Sequence, residues 1–170
     1  ERTWHIGSLS KSVAAGLRFG YVICPTGMGD SGRLAAQQSF FALSMAVSEL
    51  CLDLFQSGAA AEIRGKVLAE YVQRSEMAAN LLGSFDLRWQ LGLPFLWIPM
   101  PQGWRASTFA QRAEEVDVLI RSADQYAMVT GRAPNAVRVT LAGHVPRERL
   151  GQGLQALAGL LANPPSDMCV

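Results

Sequence analysis

The sequence predicts an α+β small domain, an antiparallel sheet with covering helices, preceded by long helices and a strand–loop–strand piece. Three observations carry this. In the second half, strand-like runs are segregated from helices, the order of an antiparallel sheet covered on one face. Near the end, Leu150, Leu154, Leu157 and Leu161 form a seam at helical spacing. Near the start, two short apolar runs, residues 4–6 and 19–24, bracket a loop of Ser, Gly and Ala with one Lys and one Arg. At 170 residues, 49% apolar and 17% charged, the chain can bury a sizeable core as one domain or a domain and a half.

The first loop holds Lys11, one of only two lysines in the chain. Small hydroxyls (Ser8, Ser10, Ser12), a glycine permitting close backbone approach (Gly16) and a fork-shaped cation (Arg18) are what a phosphate pocket needs. A lysine in such a pocket, buried and beside other cations, has its pKa lowered and becomes a nucleophile towards aldehydes. Residues 25–33 read as a further loop. Its Gly27, Gly29 and Gly32 match G-x-G-x-x-G, but a ribose-binding acid should follow about twenty residues later at the end of a second strand. There the sequence is helical, so these are turn glycines.

Residues 34–56 read as one long, largely buried helix ended near Gly58. Residues 59–82 form a better-defined amphipathic helix. Ile63, Val67, Tyr71, Ala78 and Leu81 recur near a 3.6-residue period, and Gly83 is placed to cap it. Glu62–Lys66, Lys66–Glu70 and Glu70–Arg74 are spaced to support its exposed side by a few tenths of a kcal/mol each. Lys66 is therefore a surface-pair lysine. Residues 85–89 and 95–100 read as strands, the second ending in a turn at 99–103. A helix over 107–122 turns Phe109, Val116 and Ile120 inward. Residues 126–129 and 136–141 are two more strands, and Pro146 opens the last helix where its missing N–H costs nothing. The tail from Asn163 is Pro-rich and expected to fray.

Several function classes are disfavoured. A net charge of +1 argues against a nucleic-acid surface on this segment. Cys24, Cys51 and Cys169 are odd in number and widely spaced, which fits a reducing cytoplasm. The most apolar run, residues 40–55, carries Glu49 and Asp53, so no membrane span is expected. His5 and His144 lack paired ligands, so no metal site is expected. Glu114, Glu115 and Asp117 read as a solvated charge run, and Trp89, Trp97 and Trp104 as packing residues. No Ser–His–Asp set can be assembled. Arg138 stands out: its neighbours Val137, Val139 and Leu141 suit a strand, so the arginine either faces water at an edge or points at a ligand.

The segment GSLSKSVAAGLRFGY resembles the cofactor-lysine segment of the fold-type I, pyridoxal-phosphate-dependent aminotransferases, whose pattern is S-x-S-K, six residues, then R-x-G. Ser8, Ser10, Lys11, Arg18 and Gly20 fall on it in register. The resemblance implies that Lys11 carries pyridoxal 5'-phosphate covalently while Ser8 and Arg18 bind its phosphate, with Ser10 beside them. Ala15 departs from the pattern, where the family usually has Pro. The wording WHIGSLSK…AAGLRFGY is most similar to the MocR branch of GntR-family transcriptional regulators, which join a winged helix-turn-helix to an aminotransferase-like domain. In the aminotransferases a small-domain strand before the last helix carries an arginine that clamps the substrate α-carboxylate. NAVRVTLAG resembles that strand, which gives Arg138 the substrate-binding role, and FLWIPMPQGW resembles the strand and turn before it.

On this resemblance residues 1–58 are a remnant of the large α/β cofactor-binding domain, 59–83 a connecting helix, 84–162 the C-terminal small domain and 163–170 a tail. The chain starts at Glu1 without Met and is expected to be the C-terminal part of a longer, cytoplasmic, homodimeric protein. Its partners would be an amino acid or amine, with DNA bound only through an upstream domain. The family's other cofactor contacts, an acid at the pyridine nitrogen and a stacking ring among them, lie upstream of the lysine. By itself the chain is thus expected to bind the cofactor weakly or not at all and to be a poor catalyst. Three readings stand: an effector-binding and oligomerisation part of a MocR-like regulator, the corresponding part of an ordinary class I/II aminotransferase, or a folded remnant serving dimerisation.

Overall fold

The computed structural model describes residues 2–39 and 43–165. The chain divides into two compact units, Glu1–Leu68 and Ala69–Val170.

In the first unit β1 (His5–Ser8) and β2 (Gly20–Ile23) pair antiparallel, with His5 opposite Ile23 and Ser8 opposite Gly20. This is the expected strand–loop–strand. Gly7 stands opposite Tyr21, and a Cβ at position 7 would collide with the tyrosine ring. Only glycine lets that ring lie flat against the strand, from where it meets Phe55 edge-on with centroids 6.5 Å apart.

Helices α1 (Gly29–Ser39) and α2 (Met45–Gln56) follow. Two expectations need correcting here. The turn after β2 is shorter than residues 25–33, because α1 already begins at Gly29. The single helix over 34–56 is in fact two, although residues 40–42 lie outside the described residues. Ser44 has an extended ψ of 128° and its carbonyl accepts both the N–H and the Oγ of Ser48, so it starts α2 afresh. Ser44 makes no side-chain cap that would announce this start, and the apolar pattern continues on both sides and hides the break. Helix α3 (Ala59–Leu82) has the expected bounds, and the boundary between the units falls within it. Gly83 follows it without the left-handed φ of a glycine cap. Its role is steric: a Cβ there would strike the carbonyl oxygen of Ala79.

The second unit holds a three-stranded antiparallel sheet in the order β3 (Phe95–Pro99), β5 (Ala136–Thr140), β4 (Arg121–Ser122). Leu96, Ile98, Val137 and Val139 alternate onto its buried face. There they meet Leu82 of α3, Phe109 of α4 (Ala106–Glu114) and Leu154, Leu157 and Leu161 of α5 (Arg147–Ala162), with Leu150 half-buried beside them. The leucine seam is therefore real, and Pro146 is the residue preceding the helix. At the coarse level the α+β expectation holds, as an antiparallel sheet with covering helices.

Three details differ. Residues 85–89 form no strand; only Arg88 bridges to Trp97. The helix expected over 107–122 stops at Glu114, because Asp117 takes a left-handed φ of 60° that no glycine announces. Beyond it the chain extends, and Arg121–Ser122 becomes β4. Residues 126–129 are not a strand, since Ala123–Tyr126 is a 3-10 turn. The expected fray of the tail concerns mainly residues 166–170, which lie outside the described residues. Among the described residues no helix is long and apolar enough to cross a membrane.

Candidate functional site

The loop joining β1 to β2 is built by its own serines. Ser8 Oγ donates to the Phe19 carbonyl (3.3 Å) and accepts the Ser10 N–H (3.1 Å). Ser12 Oγ donates to the Ser8 carbonyl (3.2 Å). The buried Leu9 pins both ends of the loop: its N–H donates to the Phe19 carbonyl, and its own carbonyl accepts the N–H groups of Val13 and Ala14. Small hydroxyl side chains competing for backbone groups in this way favour a tight turn over a continued strand. Lys11 rides on that turn and is exposed. Arg18 follows the short 3-10 turn Ala15–Leu17 in a left-handed conformation, φ 49°. The register that sets Leu9 against Phe19 therefore holds Ser8, Ser10, Lys11 and Arg18 at one end of one hairpin.

Chemically this set fits a phosphate ester bearing an aldehyde. Hydroxyls and a guanidinium suit phosphate oxygens, and a primary amine suits the carbonyl carbon. The residues described here do not supply the burial expected around Lys11.

Arg138 lies in the other unit, on the open face of the sheet. Its guanidinium sits 3.8 Å from the centroid of the Phe95 ring and 4.9 Å from that of Tyr126, and Trp97 meets Tyr126 edge-on at 5.7 Å. Among the described residues no carboxylate pairs with it. So it does not wave in water: it is held against aromatic faces, with the in-plane N–H fork of a guanidinium available for a planar anion. Neither Trp97 nor Tyr126 is a core residue, whereas Trp104 is buried against Phe109.

A second polar cluster escaped the sequence reading. Arg74 is buried, its side chain only 8% exposed. It donates to the carbonyls of Leu141 (3.0 Å) and Val145 (2.8 Å) and to Glu70 (2.7 Å), and Glu70 also accepts three bonds from Arg147. The expected surface pair Glu70–Arg74 is thus an anchor for the end of β5 and the loop before α5. Glu70 uses both oxygens on these arginines, while Lys66 pairs with Glu62 at 2.6 Å. Hydrogen bonds from Arg147, then Arg74, hold the Glu70 carboxyl down at about 2, against an ordinary 4.5. A depressed carboxylate stabilises the fold fully above its unfolded pKa and loses that contribution as pH falls through the folded one. Glu70→Gln is expected to flatten the loss of thermal stability between pH 4.5 and about 2, read from melting curves across that range. Beside this cluster lies a mainly apolar cleft of about 360 Å³, lined by Val118, Ile120, Val139, Leu141 and Leu154 with Arg149 among its walls. No group of three or more His, Cys, Asp or Glu among the described residues could hold a metal ion.

No family model matches the chain. In sequence it is 26% identical over 162 residues, 95% of its length, to an uncharacterised HTH-type transcriptional regulator of Bacillus subtilis, YdeF. It spans 35% of that relative. In structure it is similar to LysN, an α-aminoadipate aminotransferase of Thermus thermophilus solved with N-(5'-phosphopyridoxyl)-L-leucine, with TM-score 0.79, 22% identity and coverage of 94% of this chain and 41% of that one. It is likewise similar to a multiple-substrate aminotransferase of Thermococcus profundus (TM-score 0.77, 20% identity, 92% and 40% covered). A kynurenine aminotransferase of Pyrococcus horikoshii, solved with PMP, matches at TM-score 0.79 and 18% identity, over 94% and 40%. The chain thus shares the fold of about two fifths of these fold-type I aminotransferases, and its sequence is similar to that of an HTH-type regulator.

Proposed function

We propose that this chain is the C-terminal, effector-binding and oligomerisation part of a MocR-like regulator of the GntR family, cytoplasmic and homodimeric when intact. The observation that carries the proposal is similarity to an HTH-type regulator along 95% of the chain, combined with the Ser8–Ser10–Lys11–Arg18 hairpin loop. Pyridoxal 5'-phosphate is the group this loop would hold in the intact protein, where it would supply an electrophilic carbonyl for amines. Ser8, Ser10 and Arg18 bind and orient the phosphate, and Lys11 presents its amine to the carbonyl. Arg138 fixes the carboxylate of an amino acid, its guanidinium already seated over the Phe95 ring. DNA binding belongs to an upstream domain. An ordinary aminotransferase is the second reading, favoured by the solved structures of that class.

Borohydride reduction of the intact protein with pyridoxal phosphate, followed by peptide mapping, is expected to place the label on Lys11. Label on Lys66 alone, or unchanged labelling of Lys11→Ala, would remove Lys11 from the site. An amino acid that alters DNA affinity supports the regulator; turnover to a 2-oxo acid with no DNA binding supports the enzyme. Arg138→Ala is expected to weaken amino-acid binding by about 2 kcal/mol, the scale of a charge-assisted hydrogen-bonded pair, with cofactor binding nearly unchanged. Calorimetric titration of mutant and parent measures this.

A further inference from the structure

We infer that Arg121 is a second anion anchor beside Arg138, so that the ligand carries two acidic groups, as an amino dicarboxylate does. The inference rests on the carboxylate role of Arg138 given above and names the ligand class.

The sheet register brings the two together. Arg121 of β4 is directly opposite Arg138 of β5, and Arg138 is directly opposite Trp97 of β3. Directly opposite residues of an antiparallel pair share a face and lie about 4.5–5.5 Å apart at Cα. The next residue along, Ser122, pairs with Val137, and both are buried. Arg121 and Arg138 therefore lie on the open face, side by side. Like charges directly opposite destabilise a strand pair. Among the described residues no carboxylate offsets this pair: Arg121 Nη1 donates to the neutral amide of Gln125 (2.7 Å), and Arg138 stacks on Phe95 and Tyr126. Asp124, in the turn between Arg121 and Tyr126, pairs with neither arginine.

The two side chains are held from behind, one by an amide and one by rings, so their remaining N–H groups can meet separate oxygens of one small anion. The aromatic rings limit this to a compact ligand: Trp97 flanks Arg138 on its other side, between it and Arg88, which bridges to Trp97 from beyond β3. Arg88 thus belongs to the same row but is separated by an indole.

The experiment titrates the intact protein with L-glutamate and with L-norvaline, which has the same chain length but no second carboxylate. Parent protein is expected to prefer glutamate. Arg121→Gln is expected to lower glutamate affinity about tenfold or more, the scale of a lost charge-assisted hydrogen bond, and to leave norvaline within about twofold. Arg121→Lys recovers part of the loss, and Arg88→Gln changes neither. Equal loss for both ligands in Arg121→Gln, or no glutamate preference in the parent, overturns the inference. If Arg138→Gln alters neither ligand, the reading of Arg138 fails and this one falls with it; if Arg138→Gln weakens both while Arg121→Gln alters nothing, only the present inference fails. No binding of either amino acid to the parent counts against both. Unchanged melting temperatures exclude unfolding as the cause.

Discussion

Arg74→Leu is expected to lower the stability of the second unit by about 3–5 kcal/mol, the cost typical of removing one partner from a buried ionic cluster. The leucine fills part of the volume but donates nothing. The carbonyls of Leu141 and Val145 then lose their partner, at about 1–3 kcal/mol for each one left unsatisfied. Glu70 suffers less, because Arg147 still holds it and its side chain is 33% exposed. Urea denaturation measures this as a lower midpoint with an unchanged slope. Arg74→Lys keeps the charge but replaces three nitrogens, each on its own partner, by a single one, and falls between. A loss below 1 kcal/mol for Arg74→Leu would show that water replaces the guanidinium readily, and that the end of β5 is not anchored here.

Phe109→Ala is expected to cost a similar 3–5 kcal/mol. The Phe109 ring is fully buried between α4 and the sheet and meets Trp104 edge-on, centroids 5.1 Å apart. Truncation removes the apolar area and leaves a cavity that Trp104, Ile98 and Leu157 fill only by moving. Leu119→Ala is the matched control: Leu119 is 79% exposed, and its loss should stay within about 0.5 kcal/mol. A domain stable by only about 5–15 kcal/mol loses much of its margin to the first change and little to the second.

These two residues also mark what was legible in the sequence. Phe109 could be read because a helix repeats locally, and Leu154 and Leu157 for the same reason. The bounds of α3 and the hairpin carrying Lys11 were legible too, since caps, turns and short motifs act over a few residues. Arg74 was not. Four residues after Glu70 it has the spacing of a surface ion pair, and its carbonyl partners come from a distant stretch of chain. Asp117 ends a helix through a left-handed φ that glycine or asparagine would have signalled. The neighbours of Arg138 are set by strand register, which is non-local: nothing in NAVRVTLAG says that Phe95, Tyr126 and Arg121 surround it. Sequence reasoning singled out the arginine, and the sheet places it over the Phe95 and Tyr126 rings.

Arg18 has a cost that bears on how the hairpin could be altered. A residue with a side chain in the left-handed region is disfavoured by about 1–2 kcal/mol, and glycine, which visits that region freely, removes this at some entropic expense. Arg18 keeps φ 49° nonetheless. Glycine at position 18 would make a more comfortable turn and delete the guanidinium we propose for the phosphate. Stability and ligand affinity thus pull in opposite directions at this one position. A library sorted for thermal resistance alone would drift towards glycine there, and one sorted for cofactor retention would hold arginine.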